Sequence, residues 1–186
     1  MSGVIRCSSA DVRSIFEGWV ASESAAGARL VVLEGAMMSG KSFLTGEPLT
    51  LGSRQSINIE VDGLTRQTNN EGYIAAVRRD ALDAAIRDGL AASPTVIVQG
   101  AIVWPLVQAV VGKVSLGAVR RVYLKRMKRT TPDHWRDARQ FLEPNQPPRF
   151  LGEVGNSIDR HHAEQRPWLS ANLVVERIEA EGEDND

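Results

Sequence analysis

The sequence predicts an α/β fold in three layers, in which helices cover both faces of a mostly parallel, five-stranded sheet. Five short strand-like segments alternate with helical stretches, and this alternation is typical of the βαβ crossovers that join parallel strands. The segment RLVVLEG is continuously apolar and ends in glycine, as expected of a strand buried on both faces. The other strand-like segments are SINIEVDG, TVIVQG, VRRVYL and NLVVERIE.

Three stretches carry helical signals. In SSADVRSIFEGWVAS, apolar residues recur at helical spacing after a capping Ser or Asp, which predicts an N-terminal helix within residues 1–29. YIAAVRRDALDAAIRDGL carries an apolar stripe that predicts a helix ending at Gly89. In TTPDHWRDARQFLE, Thr131 is the predicted cap, Pro132 suits the first turn, and Pro144 ends the run.

Composition limits the classes of protein to consider. The 186 residues suffice for one domain, predicted over residues 1–180 and followed by an acidic tail at 181–186. A net charge of −1 disfavours general binding to nucleic acid or anionic membranes. No apolar run approaches the roughly 18 residues of a membrane-spanning helix, and the single cysteine, Cys7, cannot form an intrachain disulfide. We expect a cytoplasmic protein with no nucleic-acid or membrane partner; a homodimer remains open.

The stretch GAMMSGKS fits the pattern G-x-x-x-x-G-K-[ST], in which backbone N–H groups of a glycine-flanked loop surround the phosphates of a nucleotide. The pattern predicts that Lys41 reaches the β- and γ-phosphates of ATP and that Ser42 binds Mg²⁺. An alternative is a strand-to-helix turn with no ligand. Gly46 and Pro48 predict that the helix after the loop is short or kinked. The predicted nucleotide-binding residues are Gly35, Ala36, Met37, Met38, Ser39, Gly40, Lys41, Ser42 and Phe43.

With this loop and its order of strands, the chain resembles the small-molecule kinases of the P-loop superfamily, particularly uridine kinase-like enzymes, over about residues 30–178. The resemblance implies a P-loop NTPase-type sandwich in which a carboxylate at the end of the second strand faces the acceptor hydroxyl. INIEVDGL offers Asp62 for that role, and Glu60, a candidate metal ligand, would lie on the same side of the strand. This acid-x-acid pair is similar to that of shikimate and gluconate kinases. The alternative is an Asp-Gly turn at a strand end.

Two further segments extend the resemblance. Many relatives end the third strand in Glu-Gly, whereas this chain has Gln99, whose amide could hold a water or a substrate hydroxyl. LKRMKRTTPDHWRDARQ resembles a helical lid, at about residues 125–145, whose arginines offset charge on the transferring phosphoryl group. Arg136 and Arg139, three apart on a predicted helix, are the catalytic candidates. Arg126 and Arg129 are the other candidates, and a solvated basic face is the alternative for each.

These residues predict an ATP-dependent kinase that uses Mg²⁺ and transfers the γ-phosphoryl group to a hydroxyl of a nucleoside, sugar or related metabolite. Lys41, Asp62, Arg136 and Arg139 are its predicted catalytic residues. A nucleoside monophosphate kinase is one alternative, since Arg54 and Arg66 could line an acceptor-phosphate pocket. A non-transferring P-loop ATPase that acts as a switch or assembly factor is another. Trp104 and Trp168 are expected to fill the core, or else to line the cleft.

Overall fold

The computed structural model describes residues 3–66, 72–111, 116–131, 134–137 and 152–178. Six parallel strands form the main sheet in the spatial order β1-β9-β7-β2-β6-β5, and β8 pairs with β7 in the antiparallel direction. The strands are β1 Gly3–Ser8, β2 Leu30–Glu34, β5 Ile57–Glu60, β6 Val96–Gly100, β7 Val119–Thr131, β8 His134–Asp137 and β9 Leu173–Ile178, and a separate hairpin is made of β3 Thr50–Leu51 and β4 Arg54–Gln55. The helices are α1 Val12–Ala25, α2 Lys41–Thr45, α3 Tyr73–Ala76, α4 Arg79–Ala92, α5 Trp104–Val111 and α6 Gly152–Gln165.

The prediction of an α/β fold with a mostly parallel sheet is confirmed. All five predicted strands are present, and every residue of β2 and of β6 is buried, which explains their continuously apolar sequences. The strand count was too low, because β1 adds a sixth parallel strand beside β9. Within β1 only Cys7 is buried, so its sequence carries little apolar signal.

Helices cover both faces of the sheet. Side chains alternate along β2, so that Val31 and Leu33 share one core with α1 and α2. Leu30 and Val32 share the other core with α3, α4, α5 and α6. The predicted three layers are therefore present. In the part of the chain described, no helix combines the length and apolarity needed to cross a membrane.

One predicted helix differs from the expectation in two ways. The helical stretch after Tyr73 is divided, because Val77 adopts an extended conformation and forms a bridge with Thr65. Its second part, α4, does not end at Gly89 but continues to Ala92. Gly89 is buried inside the helix, where an added Cβ would lie 3.0 Å from Val96 Cγ2, so the glycine permits close helix–strand contact. The predicted short helix after the glycine loop is confirmed, since α2 has five residues.

The expected lid helix is wrong where the structure describes that segment. Thr131 is not a helix cap; it is the last residue of β7, which turns into β8. Arg136 therefore lies on a strand, paired with Lys128, and not on a helix face shared with Arg139. Arg139 and Pro144 lie outside the described residues.

Candidate functional site

The strand order marks one end of the sheet as the place to look for a site. The connection from β2 leads to β5 at one edge, whereas the connection from β7 leads to β9 on the other side. In open α/β sheets, ligands bind at the carboxyl ends of the strands where successive connections diverge in this way. That point lies between β2 and β7, and the glycine loop at 35–40 directly follows β2.

The loop has a tightly constrained backbone. Met38 and Gly40 both have positive φ, at 60° and 93°. Such a conformation is uncommon for a residue with a side chain, and residues of this kind cluster at functional sites. Gly35 is constrained by contact instead, because an added Cβ would lie 2.6 Å from Leu124 O and 2.7 Å from Ser39 Oγ. The two glycines of the motif are thus required for different physical reasons.

Lys41 anchors the loop from within. Its side chain is only 8% exposed, and Nζ donates to the carbonyl oxygens of Gly35 and Ala36, each at 2.9 Å. Ser39 Oγ lies 3.4 Å from the same nitrogen. The ammonium group is therefore held at the centre of the loop by acceptors that the loop itself supplies.

Beside the loop, three oxygen-bearing side chains come from three elements. Ser42 Oγ donates to Glu60 Oε1 at 3.3 Å, which joins the start of α2 to the end of β5. Gln99 is the register partner of Glu60 on β6, and it is buried. Within the described residues, Gln99 Oε1 has no hydrogen-bond partner. A buried oxygen in this condition is uncommon and indicates a binding role or an ordered water.

Two arginines also lie at this edge. An added Cβ at Gly40 would meet Nη1 of Arg177 on β9, so that guanidinium group contacts the loop. Arg126 is the register partner of Arg177 on β7. Paired residues on neighbouring strands project from the same side of a sheet. Of the four arginines predicted for the lid, Arg126 is therefore the one that the described structure brings beside the loop.

Asp62 has a different position from the one predicted. The strand ends at Glu60, and Asp62 begins a 3₁₀ turn over Asp62–Leu64, so alternation along the strand does not continue to it. Its Oδ1 accepts a hydrogen bond from the Tyr73 hydroxyl. Burial raises the pKa of Tyr73 well above its ordinary value, and the negative charge of Asp62 raises it further. Tyr73 thus stays protonated and donates to the carboxylate.

Asp62 and Tyr73 line a cavity of about 180 Å³. Met37 of the glycine loop lines the same cavity, as does Arg66, and its remaining walls are mainly apolar. One residue of the loop, Met37, and the predicted acceptor carboxylate therefore line the same cavity. Arg54, the other predicted acceptor arginine, lies apart on the β3–β4 hairpin.

Sequence reasoning gave no site role to Tyr73, Arg177 or Glu34. Glu34, the residue before Gly35, is buried and accepts hydrogen bonds from the backbone N–H groups of Val103 and Trp104 at 2.8 and 2.9 Å. A glutamate at the end of an otherwise apolar strand is a sequence signal that could have been used. Arg177 carries no comparable signal in the sequence. Its contact with Gly40 arises because β7 and β9 are neighbours in the folded sheet.

These observations define an α/β protein with basic, acidic and amide side chains gathered around a glycine loop at the carboxyl edge of a parallel sheet. Neither the family models nor the curated proteins and solved structures include a match to this chain.

Proposed function

We propose that this protein is an ATP-dependent kinase of the P-loop type that phosphorylates a hydroxyl group of a small-molecule acceptor. The observation that carries the proposal is the cavity of about 180 Å³ lined by both Met37 of the loop and Asp62. It supports the proposal because phosphoryl transfer requires the phosphate donor and the acceptor hydroxyl to lie side by side.

The residues present fit a magnesium nucleotide. Gly35 and Gly40 occupy positions where a side chain would collide with Leu124 O or with Arg177, so the loop requires glycine at both motif positions, as phosphate-binding loops do. Ser42, Glu60 and Gln99 supply oxygen atoms of the kind that Mg²⁺ prefers, directly or through water. When bound, the metal would neutralise phosphate charge. Binding this metal is the role predicted for Ser42 and Glu60.

The chain's own residues would act as follows. Lys41 binds phosphate, and Arg177 and Arg126 offset its charge from β9 and β7. Asp62 orients the acceptor hydroxyl and takes its proton. Tyr73 donates to Asp62 Oδ1 and thereby fixes the direction in which the carboxylate points. The predicted phosphate contacts of Arg136 and Arg139 remain predictions.

The volume of the cavity also indicates the size of the acceptor. Its volume of about 180 Å³ is below the roughly 300–1,000 Å³ of pockets for drug-sized ligands. This favours the smaller acceptors among nucleosides, sugars and related metabolites. A second candidate function is a nucleoside monophosphate kinase, because Arg66 lines the cavity and could bind an acceptor phosphate.

Nucleotide binding is tested by calorimetric titration of MgATP into the wild-type protein, the variant Lys41→Ala and the variant Arg79→Ala. Arg79 is exposed at the start of α4 and provides a control for the loss of one cation. We expect binding by the wild type and Arg79→Ala, and its loss in Lys41→Ala. Absence of binding to the folded wild-type protein would refute the proposal.

Transfer is tested by ADP release with and without a panel of nucleosides, sugars, small alcohols and nucleoside monophosphates. Asp62→Asn should lower kcat by about 10²–10⁴-fold with MgATP affinity unchanged, because it removes the general base. Acceleration by monophosphates alone would favour the second candidate. Equal turnover without any acceptor would instead indicate a hydrolytic ATPase and reject the kinase.

A further inference from the structure

A second, larger cavity lies between α5 and α6. Its volume is about 590 Å³, within the roughly 300–1,000 Å³ of small-molecule sites. The two cavities meet neighbouring faces of α6, since Ile158 lines the smaller one, while Ser157 and His161 line the larger. The cavity shares no lining residue with the glycine loop.

Arg121 is the central cation of this cavity. It projects from β7, and its side chain is 14% exposed. Its guanidinium carbon lies 4.5 Å from the centroid of the Trp104 ring, and Nη1 donates to Ser170 Oγ at 2.8 Å. A planar guanidinium held by ring stacking and a hydrogen bond is pre-organised to bind a planar anion.

The contacts of Arg121 leave part of its hydrogen-bonding capacity unused. Nη2 lies 3.4 Å from Glu34 Oε2, which is long for a charge-assisted hydrogen bond. The enclosed Nε has no acceptor in the part of the chain that is described. Leaving a buried donor of a charged group without a partner is unfavourable, so Arg121 is not a fully satisfied structural arginine.

The other described walls combine charged, neutral polar and apolar groups. Arg160 and Glu164 on α6 contribute one positive and one negative charge, and Arg121 contributes a second positive charge, which Glu34 partly offsets from 3.4 Å. Burial lowers the pKa of His161 from its ordinary value, which keeps the ring neutral near pH 7 and makes it a hydrogen-bonding group. Trp104, Pro105 and Pro167 add apolar surface, and Gln108 adds an amide.

We propose that the cavity between α5 and α6 is a second ligand site, which binds a small carboxylic acid as its anion, with Arg121 as the residue that binds the carboxylate. The planar, bidentate geometry of a carboxylate matches guanidinium. The apolar walls accommodate the body of the acid.

The probes are three monocarboxylates of increasing size, namely acetate, benzoate and hippurate, together with hippuramide, in which a neutral amide replaces the carboxylate of hippurate. Binding is followed by the amide and indole NMR shifts of the full chain in the absence of nucleotide. The result is therefore independent of the proposed kinase function. We expect saturable shifts at Trp104 with benzoate or hippurate, and at least about tenfold weaker binding of hippuramide.

Three variants locate the site. Arg121→Gln should weaken binding of the carboxylate about tenfold or more, because it removes the charge-assisted hydrogen bonds. Gln108→Trp, at an exposed wall position, should block the cavity without removing a charge. Arg87→Gln, on the exposed side of α4, is the control with the same change of charge and should bind as the wild type does.

Several results would overturn the proposal. These are no saturable binding of any of the three carboxylates to the wild type, equal binding of hippurate and hippuramide, and unchanged affinity in folded Arg121→Gln and Gln108→Trp. If Arg121→Gln loses carboxylate binding together with its native NMR spectrum, binding by Gln108→Trp decides the question, because that variant leaves the arginine in place. Equal weakening by Arg87→Gln would show an effect of net charge only.

Discussion

At the scale of single residues, the structure separates glycines that are required from glycines that are not. Gly35 lies against Leu124 O and Ser39 Oγ, so that the loop has no room for a methyl group. Gly18, on the exposed side of α1, has no atom within 4 Å of an added Cβ. The same substitution is therefore expected to have opposite effects at the two positions.

Gly35→Ala should lower the free energy of unfolding by about 1–3 kcal/mol, because the added methyl group overpacks a site closed by backbone. Gly18→Ala should raise it by about 0.5–1 kcal/mol, because alanine loses less entropy in a helix. Urea unfolding of both variants and the wild type measures the difference. Equal stability of Gly35→Ala and the wild type would show that the contact between the loop and β7 is looser than described.

The residue scale also shows what sequence could predict of the site. The motif located the loop, Lys41 and Ser42, and Glu60, the other predicted metal ligand, accepts a hydrogen bond from Ser42. Alternation failed for Asp62 because the strand ended first. Tyr73 and Arg177 could not be found, since Tyr73 lies 11 residues from Asp62, Arg177 lies far along the chain from Gly40, and neither contact has a local sequence pattern.

At the scale of elements, the start of α5 depends on a side chain from another element. Glu34 accepts hydrogen bonds from the N–H groups of Val103 and Trp104, which have no helical partner at this end. The carboxylate also lies near the positive end of the helix, where negative charge is stabilising. Glu34 thus joins the end of β2 to the start of α5.

Glu34→Ala should therefore destabilise the protein by more than about 1–3 kcal/mol, the usual effect of one buried polar group left without a partner. Glu34→Gln should have a smaller effect, because its amide oxygen can still accept both hydrogen bonds. Hydrogen exchange at the first amides of α5, measured in both variants, distinguishes a local effect from a global one. Unchanged protection of these amides in Glu34→Ala would contradict this role.

Strands and helices were predicted well where burial of the segment determined its structure. They were predicted poorly where pairing between strands determined it. β2 and β6 were found because central strands must be apolar throughout. The helix expected after Thr131 followed sound local signals, but the chain continues β7 and returns as β8. Strand pairing is a tertiary interaction that overrides such preferences. β1 was missed because an edge strand with one buried residue has no distinctive pattern.

At the scale of the whole molecule, β1 and β9 bring together distant parts of the chain. All six residues of β1 pair with β9, and Arg6 forms an ion pair with Glu176 at 2.7 Å. β1 has one strand neighbour among the described residues and buries little apolar surface. Segments with few buried contacts open at lower free energy than the rest of a protein.

Cys7, the sole cysteine, reports on this edge. It is buried when β1 is paired, and burial, together with the charge of Asp11, raises the pKa of its thiol, so that little reactive thiolate forms near pH 7. Iodoacetamide should therefore label Cys7 at urea concentrations below the midpoint of unfolding monitored by tryptophan fluorescence. Arg6→Ala should lower that concentration further.

Coincidence of the labelling and fluorescence transitions, in the wild type and in Arg6→Ala, would show instead that β1 and the central sheet unfold as one unit. Labelling at several pH values separates two causes of the low reactivity of Cys7, namely its burial under the paired strand and the raised pKa of its thiol. A rate that rises with pH through the ordinary thiol pKa indicates labelling of the opened strand, whereas a rise through a raised pKa indicates labelling while β1 remains paired.

The pairing of β1 with β9 also has a consequence for synthesis. Arg6 precedes its partner Glu176 by 170 residues. At the ordinary speed of translation, roughly 5–20 residues per second, the first strand leaves the ribosome about 10–30 s before the last. Throughout that interval the nascent sheet can assemble around β2 and β6, whereas its outermost strand has no template and must find its place after the final strand has been made.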